Sequence, residues 1–173
     1  MKMQKLLSSD VRDTGVDHCA AVQHGVLPWR DGRRTGLRIL LVKSGDEAGW
    51  SVPLGAPVEG RAPFLSAALH AFEEAGIIGE IDTAPLSDYR RGGTGDRVVV
   101  HAMQVRGTLS HWKRQHERQR QWFAPAEAAD RVDDAGLAEL IRSLADQPQR
   151  LTQALRTQRA WQAAASPEPP SGT

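Results

Sequence analysis

The sequence predicts an α+β domain in which a mixed β-sheet is layered against helices. Three observations carry that expectation. β-Branched and aliphatic runs open the chain and return in its middle, one helix-period segment separates them, and helix-forming segments close it. The order is strands, a helix, strands, then helices, which is not a regular βαβ alternation.

Each element has its own signal. Residues 1–17 form a polar lead-in. "CAAVQHGVLPW" (19–29) and "GLRILLVKS" (36–44) read as strands, joined by the basic, turn-rich "RDGRRTG". Residues 49–63 are punctuated by Gly and Pro and read as loop. Pro63 suits the first turn of a helix. Phe64, Leu65, Ala68, Ala71 and Phe72 then give an apolar stripe, and Gly76 is placed to terminate the helix in a left-handed conformation. Strands are predicted over 77–82, 96–107 and 118–125. Helices follow over 125–132, 133–147 and 148–165, the second with Asp133 or Asp134 as N-cap and Leu137, Leu140, Ile141 and Leu144 on one face. The expected organisation is a lead-in (1–17), one domain (18–146), a C-terminal helix (147–165) and a tail (166–173) disordered by composition.

The 173 residues suffice for one domain with a core. A formal net charge of +1 gives no global field toward nucleic acid or membrane. Arginine far outnumbers lysine, which suits bidentate phosphate or carboxylate binding. Cys19 is the single cysteine, so an intrachain disulfide and a four-cysteine zinc site are excluded. With no signal-peptide pattern, this points to a cytoplasmic chain, and no run approaches the roughly 18 apolar residues of a membrane span.

The chemistry concentrates in "HAFEEAGI" (70–77). On a helix, His70, Glu73 and Glu74 are related by i, i+3 and i, i+4 and share a face. Crowded carboxylates repel unless a cation lies between them, and such oxygen clusters suit Mg²⁺ or Mn²⁺. The same stretch also reads as the charged end of a surface helix. "SHWKRQHERQRQW" (110–122) is the densest basic stretch; alternation sends Arg118 and Arg120 to one face, and Trp112 and Trp122 flank it. It reads either as a phosphate-binding surface or as a basic loop and strand. "YRRGGTGDR" (89–97) is a basic, glycine-rich loop without the P-loop lysine pattern.

"GWSVPLGAPVEGRAPFLSAALHAFEEAGI" (49–77) resembles the Nudix box of the Nudix hydrolases, whose pattern runs Gly, five residues, Glu, seven residues, Arg-Glu, aliphatic, any, Glu-Glu, any, Gly, aliphatic. Gly55 opens it, and Glu73, Glu74, Gly76 and Ile77 close it, with Ala71 a weak aliphatic match. Trp50 and Pro53 match the usual lead-in. The likeness extends over about residues 18–146 and in layout is nearest to the diphosphoinositol polyphosphate phosphohydrolases and their bacterial relatives. The departures are specific. Arg61 stands for the loop Glu, Leu69 for the Arg, His70 for the first helix Glu, and Leu54 for the lysine often found before the glycine.

The resemblance implies a Nudix fold, a mixed sheet between helices (α/β/α). It implies hydrolysis of a phosphoanhydride with Mg²⁺ or Mn²⁺, in weakened or altered form. His70, Glu73 and Glu74 would be catalytic, and the same residues with Glu117 would hold the metal. Arg61, Arg114, Arg118 and Arg120 would bind a phosphorylated small molecule. Glu59 is a further candidate acid, or a solvated one. The alternative is an inactive Nudix-fold module that binds a nucleotide, a phosphorylated ligand or a protein, with Arg61 reaching Glu73 or Glu74 in place of a metal. Neither a membrane nor a specific nucleic acid is an expected partner. A homodimer through Leu151, Leu155 and Trp161 is a further possibility.

Overall fold

The computed structural model describes residues 20–45, 49–153, 155, 156 and 159. The lead-in, Cys19, Trp161 and the tail lie outside the described residues. A seven-stranded mixed sheet is built from β1 (Val22–Gly32), β2 (Gly36–Ser44), β3 (Leu54–Gly55), β4 (Ile77–Ile81), β5 (Ser87–Arg90), β6 (Arg97–Thr108) and β7 (Arg118–Phe123). Its main order is β4-β6-β1-β2-β7, with β3 added to β1 and β5 to β6. β1 and β6 run parallel, and the other pairings are antiparallel.

Helices cover both faces. On one, α1 (Pro63–Ala75) buries Ala67, Ala71 and Ala75 against Val26, Leu40, Val42, Ile77 and Met103. Alanines let the helix sit close to the sheet. Pro63 opens α1 and Gly76 ends it in the left-handed region, at φ 58°, where glycine carries no Cβ penalty. On the other face, α2 (Pro125–Arg131) and α3 (Ala135–Asp146) pack with Leu27, Trp29, Ile39, Leu41, Val98 and Val100.

Helical backbone resumes at residue 149 and puts Leu151 and Leu155 into this second core, 0% and 4% exposed. They are therefore spent within the protomer, which corrects their assignment to a dimer contact. β3 and β5 were hidden in segments read as loops. The backbone of Asp134 does precede α3, but its side chain does not cap it; one carboxylate oxygen instead accepts the N–H of Gly92 at 2.7 Å. Among the described residues no helix is long and apolar enough to cross a membrane.

Candidate functional site

The site forms where the C-terminal end of α1 meets β7 and the loop that precedes it. Glu74 is 12% exposed and is gripped from two sides. Arg114 Nη1 lies 3.1 Å from Oε1, and Arg118 Nε lies 2.8 Å from Oε2. Glu73 takes Lys113 Nζ at 2.9 Å. The two carboxylates that could hold a cation thus each face side-chain cations supplied by residues 113–118.

His70 departs from the expected cluster. Its Nε2 lies 2.7 Å from the carbonyl oxygen of Ala56. A carbonyl has no proton to give, so Nε2–H is the donor. The ring lies flat on Gly55, where an added Cβ would fall 2.4 Å from Cε1. Shared helical spacing with Glu73 and Glu74 is real, but the imidazole turns back toward β3. Glu117 is 67% exposed and touches only the rim, 3.8 Å from Arg114 Nε. Arg61 is exposed and forms no ion pair among the described residues. The cations on Glu73 and Glu74 come instead from the loop before β7 (Lys113, Arg114) and from the first residue of β7 (Arg118). Glu59 is exposed.

Arg118 and Arg120 do share a face of β7, yet they have different tasks. Arg120 donates from Nη1 to the carbonyls of Ala75 at 2.5 Å and Gly76 at 3.3 Å, and from Nη2 to Leu109 at 2.6 Å. Its guanidinium sits 3.9 Å over the Trp112 ring, and Trp112 Nε1–H donates to the Glu74 carbonyl at 3.2 Å. These groups satisfy the terminal carbonyls of α1 and complement its dipole. Arg120 is a structural clamp in this arrangement, and one face of Trp112 is already covered.

Arg118 and Glu74 line a small cleft with Val42, Ser51, Val52, Leu54 and Arg91. Arg91 is half-buried, and its guanidinium makes no ion pair with the described residues. Its loop is fixed locally: Arg91 N–H donates to Asp96 O at 2.9 Å, Gly95 N–H donates to Arg91 O at 3.0 Å, and Asp134 holds Gly92. The sequence singled out this loop only as basic. Its place opposite α1 depends on β5, which pairs with β6.

No protein-family model matches the chain, and no curated protein sequence does. Among solved structures, the Ap4A hydrolase of C. elegans in a binary complex superposes with a TM-score of 0.59 at 17% identity, covering 73% of this chain and 98% of that one. A protein of Listeria monocytogenes described as a Nudix hydrolase gives 0.56 at 12% identity, over 74% and 94%. A second structure of the C. elegans Ap4A hydrolase gives 0.51 at 17%, over 73% and 97%. The chain has the Nudix fold. The expected α/β/α layering is therefore correct.

The resemblance of residues 49–77 to the Nudix box is what implies Mg²⁺ or Mn²⁺ at Glu73 and Glu74. The side chains, as arranged, do not fit such an ion. Both oxygens of Glu74 are engaged by guanidinium groups, Glu73 is paired with an ammonium, and His70 is turned away. Among the described residues, no three or more His, Cys, Asp and Glu side chains gather as a metal group.

Proposed function

We propose that this Nudix-fold domain binds the phosphoanhydride part of a phosphorylated small molecule in the cleft between α1, β2 and β7, without a bound divalent metal and without hydrolysing it. One observation carries the reading: Arg114 and Arg118 occupy Glu74, at 3.1 and 2.8 Å, where the box resemblance would place a cation. Guanidinium neutralises the carboxylate but neither polarises a phosphoryl oxygen as a Lewis acid nor supplies a metal-activated water. What remains is recognition. Arg91 offers a planar fork suited to phosphate, and Arg118 and Arg114 stand beside it. Val52 and Leu54 make the apolar wall.

Support for the ligand class comes from this chemistry and from the superposition on an Ap4A hydrolase. Calorimetric titration with tripolyphosphate, Ap4A and a diphosphoinositol polyphosphate, in EDTA and then with Mg²⁺ or Mn²⁺, tests the reading alongside phosphate release. Binding that persists in EDTA with no turnover is expected. Metal-dependent binding with phosphate release would mean that Glu73 and Glu74 still serve a hydrolase.

A further inference from the structure

The far end of the sheet carries a second basic feature, outside the cleft. The β1–β2 hairpin closes through residues 33–35 between the paired Gly32 and Gly36. Arg33 and Arg34 are exposed at its tip, and Arg30 and Arg38 face each other directly across the strands. Like charges directly opposite on neighbouring strands are destabilising. None of the four makes an ion pair with the described residues, although Asp31 lies among them in sequence. Elsewhere on the surface, several exposed arginines are paired: Arg97 with Asp88, Arg106 with Glu80, Arg131 with Glu127 and Arg142 with Asp130. Single arginines without an ion pair occur elsewhere, such as Arg61, but the hairpin gathers four of them at one end of the sheet.

The same face of the sheet adds an aromatic ring. Trp122 stands opposite Leu40 on the neighbouring strand, and Arg30 reaches across β2 to lie 4.1 Å over its ring. A cross-strand guanidinium pair and two more arginines at the tip form a short basic track, in which the partly buried Trp122 indole seats Arg30. We propose that this hairpin, through Arg30, Arg33, Arg34 and Arg38 with Trp122, binds single-stranded nucleic acid by its phosphate backbone, without reading base sequence. All four cations are arginines, whose planar fork matches phosphate, and a positively charged track along the backbone is how single strands are held without sequence preference. An acidic membrane surface fits less well. Surface binding draws on apolar side chains beside the cations, and the exposed large hydrophobics of the described chain, Val22, Leu65, Phe72 and Ile78, lie away from the hairpin.

The test is fluorescence anisotropy with a labelled oligothymidylate of about 16 nucleotides, using the whole chain and its Arg33→Glu/Arg34→Glu variant. Neither side chain has an ion-pair or hydrogen-bond partner among the described residues, so melting temperatures should agree within error and folding is not in question. Wild type should bind at low salt and weaken as salt rises from about 50 to 200 mM, with a log–log slope near −0.7 for each phosphate contacted. The double variant should lose at least tenfold in affinity, and Trp122→Ala should weaken binding further without changing the salt slope. No binding at low salt, equal affinity of wild type and double variant, or hairpin-dependent binding to phosphatidylserine vesicles but not to the oligonucleotide, would each overturn the proposal.

Discussion

Replacing Glu74 by glutamine separates a carboxylate held by arginines from one that serves a metal. Glu74 is only 12% exposed, and its two oxygens meet Arg118, 21% exposed, and Arg114, 41% exposed. A charge-assisted hydrogen bond of the better-buried kind contributes about 1.5–3 kcal/mol. The pair to Arg114 is more open and contributes about 1 kcal/mol or less. Glutamine keeps one acceptor and loses the charge, so the variant should be less stable by about 2 kcal/mol, a fall of roughly 4–8 °C in melting temperature for a chain of this size. Binding should move the other way. With the Glu74 charge gone, the positive potential of Arg114 and Arg118 toward the cleft rises, and tripolyphosphate should bind about tenfold tighter, equivalent to about 1.4 kcal/mol. The assay is calorimetry in EDTA, with melts recorded with and without tripolyphosphate; the ligand should restore most of the lost stability. Unchanged stability together with unchanged or weaker anion binding would refute the reasoning.

Three other outcomes are expected. Arg120→Met removes donors from the carbonyls of Ala75, Gly76 and Leu109 and should cost about 3 kcal/mol in urea unfolding, while leaving anion affinity intact because Arg120 does not line the cleft; a selective loss of affinity would return it to the binding site. Leu155→Ala should destabilise by about 2–5 kcal/mol with no change of mass in light scattering, whereas dissociation of a dimer at unchanged stability would restore the interface reading. Burial, reinforced by His101 and then His70, lowers the pKa of His24 below its ordinary 6.5. The unfolded chain then binds a proton that the folded one resists, so this contribution is absent above pH 6.5 and stability falls as pH drops below it. His24→Gln should flatten that acid limb in unfolding curves, and superimposable limbs would clear His24.

Local patterns in the sequence carried most of the fold. The α1 boundaries follow from Pro63 and from a glycine that can take φ 58° at position 76, and β2 follows from an unbroken aliphatic run. β5 was hidden because "SDYR" has one inward residue, Tyr89, and no periodicity of its own; pairing to β6 makes it a strand. β3 is two residues long and exists only through β1. The site was legible to the same depth. Spacing placed Glu73 and Glu74 together because they belong to one helix. It could not place Arg114, Arg118 and Arg91, which arrive from two separate loops and strands. It also could not foresee that His70, sharing their helix face, would turn to the Ala56 carbonyl through the space left by Gly55. Side-chain rotation and long-range pairing are properties of the packed state, not of a helical period.

The most direct test of a carboxylate held by arginine is a crystal of this protein soaked in Mn²⁺, with anomalous scattering recorded. The expected map has no peak between Glu73 and Glu74, and Arg114 and Arg118 remain on Glu74. A strong peak about 2.1 Å from a Glu74 oxygen, with both guanidinium groups swung away, would contradict that arrangement.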